Sequence, residues 1–361
     1  VYGAGSGVHH GVTMQHVRGG GRTIVRNGAI VQGGGSSAGS HGVFLWEVDD
    51  LRVSYLDVTV SGTDAMGIYV TDTGDDVRVD HCQVACRTTT VSNRHYPGVA
   101  AIFVENGFGA VEIDQNLVTA SPQWGIRVDA PSTSGTSLVH HNRVVGTKAL
   151  VANGYMLGMA KPNLDVFENT LVGESRGIHL NGIDGASRNV WVHDNHIETQ
   201  DQPNPEYPSG HWTHGIKVEG APGALVERND VTGRADPTHA EVHGLDLHVG
   251  DARGIVVRNN RVEAVSFTAS LEAIALYWTY GSNFTPNDVV VRHNVFTATD
   301  QQVLRFWDGG AGGLFQGNRW IRDVTLGSAH SFHFEYFGNA DTVRSEGHRF
   351  LDAYPPTEVL D

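Results

Sequence analysis

Residues 244–260 read GLDLHVGDARGIVVRNN and contain both elements of a repeat that runs through this chain. The first element follows a glycine and alternates apolar with polar residues, and the second alternates up to an asparagine. Short alternating runs that are rich in Val, Ile and Leu and bounded by turn-forming residues are typical of β-strands. The stretch therefore predicts two strands joined by a turn.

The closing asparagine recurs at a nearly fixed spacing. Successive steps are 26, 27, 26, 34, 31, 34 and 24 residues, so a unit is repeated and lengthened in three places by insertions. The eight residues are Asn116, Asn142, Asn169, Asn195, Asn229, Asn260, Asn294 and Asn318. Strand units stacked in one direction predict a parallel β-helix, in which these amides would form an internal hydrogen-bonded ladder.

These runs resemble the right-handed parallel β-helix superfamily of pectate lyases and their relatives, from about Val43 to Phe350. We therefore predict an all-β fold, a single right-handed parallel β-helix domain of about 11 to 12 coils over residues 1–361. Residues 1–41 would form N-terminal coils or a cap, residues 42–350 the regular coils, and residues 351–361 a tail. The resemblance implies a carbohydrate-active protein in a secreted or periplasmic location, but lyases, hydrolases, epimerases and binding proteins all share the fold.

Composition narrows the class of partner. The 361 residues carry a formal net charge of −15, and nucleic-acid affinity depends on Lys and Arg, so we expect no nucleic-acid partner. No apolar run approaches the roughly 18 residues of a membrane-spanning helix, so no membrane partner is expected. No secretory signal is visible, and we expect any export peptide to have been removed or to be missing from this sequence. Cys82 occupies the asparagine position of its repeat, which favours a buried thiol. The sequence leaves two questions open, namely whether Cys82 forms a disulfide with Cys86 and whether the protein is an oligomer.

Alternation along each strand also predicts which side chains point outward, and equivalent positions stack about 4.8 Å apart. The first predicted column reads Tyr69, Phe103, Arg127, Met156, His179, Lys217, Asp246, Ala275, Arg305 and His333. The second reads Thr71, Glu105, Asp129, Gly158, Asn181, Glu219, His248, Tyr277, Trp307 and Glu335. Ionisable and amide side chains gather in consecutive coils of both columns, which predicts a site rather than an ordinary solvated face.

The candidate catalytic residues are Lys217, Asp246, Glu219, His179, His248 and Tyr277. Insertions at residues 199–213 and 234–243 precede the same strands and would wall a groove. Trp and Tyr rings stack on the apolar faces of sugars, so the expected partner is a polysaccharide or oligosaccharide. The candidate substrate-binding residues are Arg127, Asp129, Asn181, Tyr207, His211, Trp212, Trp278, Arg305 and Trp307.

Two chemistries fit this groove. A lyase or C5-epimerase removes the proton beside a uronate carboxylate, with Lys217 as the base and a histidine as the alternative base. Tyr277 would be the acid, Asn181 and Arg127 would neutralise the carboxylate, and Glu219 with Asp246 would orient these groups or hold Ca²⁺. No cofactor is otherwise required. A glycoside hydrolase or glycosyl-transferring enzyme would instead use Asp246 and Glu219 as a carboxylate pair about 8 Å apart.

A third reading is a non-catalytic glycan-binding protein that uses the same face. Family motifs do not decide among the three. Only Gly215-Ile216-Lys217 resembles the last motif of polygalacturonase-like hydrolases. Asp236-Pro237-Thr238-His239 departs from the Asp-Pro-His-Asp motif of alginate epimerases by an interposed threonine, so no role is assigned to it.

Overall fold

The alternating runs form β-strands in the computed structural model, and most of them pair in parallel. The structure describes residues 10–19, 21–33, 39–74, 76–90, 99–107, 109–119, 124–129, 135–146, 155–173, 176–181, 188–200, 212–235, 241–249, 254–265, 272–280, 289–298, 304–307, 313–316, 318–322, 334–336, 343–346, 349–352 and 358–360. Within these ranges no helix is long and apolar enough to cross a membrane.

The chain divides into two units, Val1–Ser175 and Arg176–Asp361. The described strands of unit 1 are β1 (Val12–Val17), β2 (Thr23–Gln32), β3 (Val43–Val48), β4 (Leu51–Thr63), β5 (Ile68–Thr71), β6 (Val77–Asp80), β7 (Gln83–Thr90), β8 (Ala100–Glu105), β9 (Val111–Asp114), β10 (Leu117–Thr119), β11 (Trp124–Asp129), β12 (Ser137–His140), β13 (Arg143–Gly146), β14 (Tyr155–Ala160), β15 (Leu164–Phe167) and β16 (Thr170–Gly173). The prediction of a single domain stays a prediction.

The described strands of unit 2 are β17 (Arg176–Asn181), β18 (Trp191–His193), β19 (His196–Gln200), β20 (Trp212–Glu219), β21 (Leu225–Glu227), β22 (Asp230–Arg234), β23 (Glu241–Val249), β24 (Val256–Arg258), β25 (Arg261–Val265), β26 (Glu272–Tyr280), β27 (Val289–Arg292), β28 (Val295–Ala298), β29 (Leu304–Trp307), β30 (Gly313–Gln316), β31 (Arg319–Arg322), β32 (Phe334–Tyr336), β33 (Val343–Glu346), β34 (Arg349–Asp352) and β35 (Glu358–Leu360). The last strand pairs antiparallel with β34, so the predicted C-terminal tail includes a strand on that edge.

Each coil contributes one strand to a front sheet, and a regular coil then adds two strands to a back sheet. The front sheet runs β1-β3-β5-β8-β11-β14 in unit 1 and β17-β20-β23-β26-β29-β32 in unit 2. These coils confirm the predicted all-β parallel architecture. Their inward Val, Ile and Leu side chains, such as Ile126 in unit 1 and Val218 in unit 2, are fully buried, which places the core between the sheets.

The asparagines form the predicted ladder inside the back sheet. In unit 2, Nδ2 of Asn260 donates to Oδ1 of Asn294 at 3.0 Å and to the carbonyl oxygen of Val226 at 2.9 Å. Oδ1 of Asn260 accepts from both the backbone nitrogen and Nδ2 of Asn229, each at 3.0 Å. Unit 1 repeats the pattern, and the backbone nitrogen of Cys82 donates to Oδ1 of Asn116 at 2.9 Å. Each amide therefore satisfies backbone groups that the turn would otherwise leave unpaired.

Where the turn before a ladder asparagine is described, the residue directly before that asparagine has a positive φ in the left-handed region. Examples are Gln115 with φ 55°, Asp194 with φ 54° and Asn259 with φ 56°. Such a residue turns the chain between the two back strands of a coil, and the asparagine that follows it is buried. The polar identity of these residues reflects the tolerance of Asn, Asp and His for this conformation, although larger residues occupy it as well.

Both cysteines are free and buried, so no disulfide joins Cys82 to Cys86. Sγ of Cys82 lies 3.3 Å from the carbonyl oxygen of Asp80, and Sγ of Cys86 lies 3.0 Å from that of Ala65. Burial raises the pKa of the Cys82 thiol to about 11. The thiols therefore have a packing role, as the ladder position of Cys82 predicted.

Candidate functional site

Four predicted catalytic residues lie in one outward column on the front sheet of unit 2. His179 of β17 is opposite Lys217 of β20, and Lys217 is opposite Asp246 of β23. Asp246 is in turn opposite Tyr277 of β26. The parallel register thus brings together side chains that are distant in the sequence, because equivalent positions of neighbouring coils stack directly.

The predicted position of Tyr277 was wrong by two residues. The sequence placed it in the second column beside His248, but His248 is opposite Thr279. Either Ala273 or Ala275 could be the small residue that precedes the alternating run of β26. In the structure Ala275 lies beside Gly244, and a Cβ on that glycine would lie 3.0 Å from the alanine carbonyl oxygen. Tyr277 therefore extends the column of Lys217.

The same two-residue shift occurs in two further coils. Arg127 is opposite Gly158 rather than Met156, and Met156 is buried. Arg305 is opposite Glu335, which the sequence had assigned to the second column. Insertions before these strands make several registers compatible with apolar alternation, since a slip of two residues keeps the same faces.

A three-residue network links the strands β17 and β20. Nε2 of His179 lies 2.8 Å from Oε2 of Glu219, and Nζ of Lys217 lies 3.1 Å from the same oxygen. The side chains of His179, Lys217 and Glu219 are 12%, 16% and 15% exposed. Only a small part of each side chain therefore reaches solvent. Charge interactions between such partly buried groups are stronger than those on an open surface. We call this group the Glu219 network.

The network sets the protonation of its members. Burial raises the pKa of Glu219, but the hydrogen bond from His179 and the charge of Lys217 outweigh burial and hold that pKa at about 2. Burial lowers the pKa of His179, and the nearby Lys217 charge lowers it further, against the opposing effect of Glu219. Glu219 is consequently a carboxylate and His179 a neutral imidazole near pH 7.

A second, more deeply buried group adjoins Lys217 along the sheet. Nε2 of His214 lies 3.3 Å from Oδ2 of Asp246, and Nδ1 of His243 lies 3.9 Å from the same oxygen. The His243 ring stacks on Tyr277 with centroids 4.1 Å apart and an interplanar angle of 13°. Burial, followed by neighbouring positive groups that begin with Arg176, lowers the pKa of His214 well below its usual range.

His214 was missed by the sequence reasoning, and His243 was placed in the insertion before its strand. Strand β20 instead begins at Trp212 and β23 at Glu241, so both histidines belong to the front sheet. A signal for them exists in the sequence, because each directly precedes the small residue of its repeat in a His-Gly pair. Their register is His214 opposite His243.

Other predicted binding residues have different surroundings. Arg127 and Asp129 lie in unit 1, where Nε of Arg127 donates to Oδ2 of Asp129 at 2.8 Å. The guanidinium carbon of Arg127 also lies 4.8 Å from the Trp124 ring centroid. Asn181 lies in unit 2, opposite Glu219. Roles for these three residues in substrate binding stay predictions.

The side chains of seven predicted catalytic or binding residues lie outside the described part of the structure. Tyr207 and His211 lie outside the described residues. The strand backbone is described at five further positions, but their side chains lie outside the description, namely Trp212, His248, Trp278, Arg305 and Trp307.

Glu219 and Asp246, the predicted Ca²⁺ ligands, contact nitrogen groups rather than further oxygen ligands. Binding of Ca²⁺ by these residues stays a prediction. Calcium takes about six to eight oxygen ligands. The described neighbours of Glu219 are Lys217 and His179, and those of Asp246 are imidazoles. These nitrogen groups do not form an oxygen cage.

Comparison with known proteins addresses the fold. A family model described as right handed beta helix region matches residues 160–319. A search of the curated proteins found no match.

Solved structures with similar coils include the mannuronan C-5 epimerase AlgE6 A-module of Azotobacter vinelandii, at 13% identity and a TM-score of 0.46, covering 93% of this chain and 92% of that one. A hyperthermoactive exopolygalacturonase of Thermotoga maritima shows 10% identity and a TM-score of 0.47, covering 95% of this chain and 88% of that one. Neither likeness carries information about activity. The parallel coils and the asparagine ladder show a parallel β-helix fold, and the family model assigns residues 160–319 to a right handed beta helix region.

Proposed function

We propose that this chain is a carbohydrate-active enzyme that removes the proton beside the carboxylate of a uronic-acid-containing polysaccharide, and so catalyses β-elimination or C5 epimerisation. The observation that carries the proposal is the Glu219 network. It holds a neutral imidazole and an ammonium group against one ionised carboxylate on the outward face of the front sheet. Proton abstraction from an acidic sugar needs such a pairing of base and cation.

Lys217 serves in this proposal as the cation. Its ammonium group lies 3.1 Å from the Glu219 carboxylate, and a neighbouring negative charge opposes loss of the lysine proton. The ion pair therefore argues against the base role predicted from the sequence. An ammonium group has three donors, so Lys217 can hold Glu219 and a substrate carboxylate together. It would stabilise the negative charge that develops when the sugar loses its proton.

His179 serves as the base. In its neutral form, Nε2 donates a proton to Glu219, so the lone pair resides on Nδ1. Nδ1 is buried, so the imidazole ring has to turn before this atom can reach the sugar proton. When the imidazole accepts the sugar proton, the Glu219 carboxylate stabilises the resulting imidazolium, as the acidic member of a catalytic triad does. Tyr277 belongs to the same column and is the proposed acid for the leaving oxygen.

The carboxylate-pair hydrolase is disfavoured by the same contacts. A glycosidase needs one carboxyl group with a raised pKa to protonate the leaving group. Glu219 has a pKa of about 2, and Asp246 is only 2% exposed, so little of its carboxyl group is open to a leaving oxygen. No contact of the described residues favours the glycan-binding alternative over an enzyme. A polymeric uronate substrate fits the expected secreted or periplasmic location.

The proposal is tested with one acidic polysaccharide and the same polymer after chemical reduction of its carboxyl groups. Product release, loss of viscosity and uptake of deuterium at C5 in D₂O are measured on both. Turnover of the acidic polymer alone is expected, because the reduced sugar lacks the activating carboxylate. Equal cleavage of the two polymers would overturn proton abstraction and restore the hydrolase. The comparison is made for each member of a panel of uronate polymers.

A further inference from the structure

Three metal-ligating side chains meet inside unit 2 beside Lys217 and Tyr277, and the proposed reaction gives none of the three a role. They are His214 of β20 and His243 and Asp246 of β23. All three are buried, and one ligand atom from each lies within 4.8 Å of the others. The register holds them on two neighbouring strands, so rigid backbone fixes their positions.

The spacing of these atoms suits a divalent metal. Nε2 of His214 and Nδ1 of His243 lie 3.3 and 3.9 Å from Oδ2 of Asp246. Metal–ligand bonds of about 2.0–2.1 Å at a tetrahedral angle separate neighbouring ligand atoms by about 3.3 Å. The observed distances therefore require only small side-chain movements for all three groups to reach one ion.

The carboxylate provides an independent indication. Oδ1 of Asp246 is buried and, among the described residues, has no hydrogen-bond partner. A buried carboxylate oxygen without a donor is costly, and native proteins rarely leave such an atom unsatisfied. A cation that binds the carboxylate removes this cost.

We propose that His214, His243 and Asp246 bind a divalent transition-metal ion, with Zn²⁺ as the preferred ion. Two imidazole nitrogens and one carboxylate oxygen form a borderline donor set that suits zinc and leaves a fourth position for water or another ligand. The proposal is independent of the uronate chemistry, because metal content is measurable without any sugar substrate.

A second acidic and histidine group, in unit 1, shows why this one is singled out. Glu112, Asp114 and His140 also gather within ligand distance. The guanidinium of Arg78 lies 3.3 Å from Glu112 and 3.0 Å from Asp114, so an arginine already provides the positive charge there. That group is an ion-pair network and serves as the matched control.

The experiment measures zinc in the purified full chain by elemental mass spectrometry after dialysis against excess Zn²⁺ and then against metal-free buffer. About one zinc per chain is expected for the wild type and for His140→Gln. His243→Gln and Asp246→Asn should bind zinc at least about 10-fold more weakly, since changes near a metal typically weaken its affinity by that amount or more. Zinc should also raise the melting temperature of the wild type.

A readout that needs no variant guards against misfolding. Wild-type protein loaded with Co²⁺ should show the visible absorption bands of a four- or five-coordinate cobalt site, and Zn²⁺ should abolish them. Absence of stoichiometric zinc together with an unchanged melting temperature would overturn the proposal. It would also fail if folded His243→Gln and Asp246→Asn proteins keep full zinc, or if Ca²⁺ binds in place of Zn²⁺.

Discussion

Glu219 accepts a hydrogen bond from His179 across one coil, with 2.8 Å between Oε2 and Nε2, although 40 residues separate the two in the sequence. The contact is diagonal, because the residue directly opposite Glu219 on β17 is Asn181. Lys217, two residues before Glu219 on the same strand, lies 3.1 Å from the same oxygen. One carboxylate therefore fixes both the imidazole and the ammonium group that the proposed reaction uses.

Replacement of Lys217 by alanine should lower kcat by roughly 100- to 1,000-fold, the usual cost of losing one group that stabilises developing negative charge. Steady-state kinetics on the responsive uronate polymer measures the effect. Arg261→Ala removes an exposed cation from the back sheet of the same unit and should leave kcat unchanged. Wild-type kcat in Lys217→Ala would contradict the assigned role.

The stability contribution of Glu219 should depend on pH. Its pKa falls from 4.5 to about 2 on folding, so the carboxylate stabilises the folded state fully above pH 4.5. That contribution is lost as the pH falls from 4.5 towards 2. The shift corresponds to about 3 kcal/mol. The lowered pKa of His179 acts in the same direction, since an unfolded imidazole binds protons below about pH 6.5 more readily than the buried one.

Urea unfolding of wild type and Glu219→Gln at pH 7 and pH 2 measures this effect. The difference in free energy of unfolding between the two proteins should shrink by about 3 kcal/mol at the lower pH. Glu198→Gln removes an exposed glutamate on the back sheet and should show almost no difference at either pH. A gap that is the same at both pH values would show that the carboxylate is not held ionised by its neighbours.

The asparagine ladder predicts that substitutions at two adjacent residues have very different effects on the free energy of unfolding. Asn260→Ala removes the acceptor for Asn229 and an amide group whose two hydrogens are shared among three acceptors, so it should lower the free energy of unfolding by about 3 kcal/mol. Asn259→Gly is an exposed change at φ 56°, which glycine adopts readily, and should alter stability by less than about 0.5 kcal/mol. Similar losses in both variants would argue against the ladder as a stabilising element.

Both thiols should be unreactive in the native protein. Cys82 and Cys86 are buried, and burial raises the pKa of Cys82 to about 11, which leaves little thiolate at neutral pH. Iodoacetamide followed by mass spectrometry should detect no adduct before unfolding and two adducts after it. Rapid native labelling, or a mass lower by two hydrogens that disappears on reduction, would contradict this description.

The fold was predictable because its determinants are local and repeated. Asn229 and Asn260 mark the same turn in successive coils, and the alternation around each decides which side chains enter the core. Register is a different matter, since a slip of two residues preserves the alternation. Tyr277 was misplaced for this reason, because Ala273 and Ala275 satisfy the same pattern and only the observed pairing of β23 with β26 distinguishes them.

The site was predictable in part. Outward alternation identified Lys217, Glu219 and Asp246, and parallel stacking brought them together. The protonation of Glu219 depends on which of several neighbours reaches its oxygen, and spacing alone does not supply that distance. His214 was missed because it precedes the alternating run, where the sequence does not reveal that the front strand has already begun.

The most direct test of the central claim is mass spectrometry of the products formed from a panel of acidic and neutral polysaccharides in D₂O. Proton abstraction predicts oligosaccharides lighter than hydrolysis products by one water, or uncleaved acidic chains that carry deuterium at C5. With Lys217→Ala these products should form roughly 100- to 1,000-fold more slowly. Products at the full hydrolytic mass without deuterium at C5 would contradict the account and assign the groove to hydrolysis.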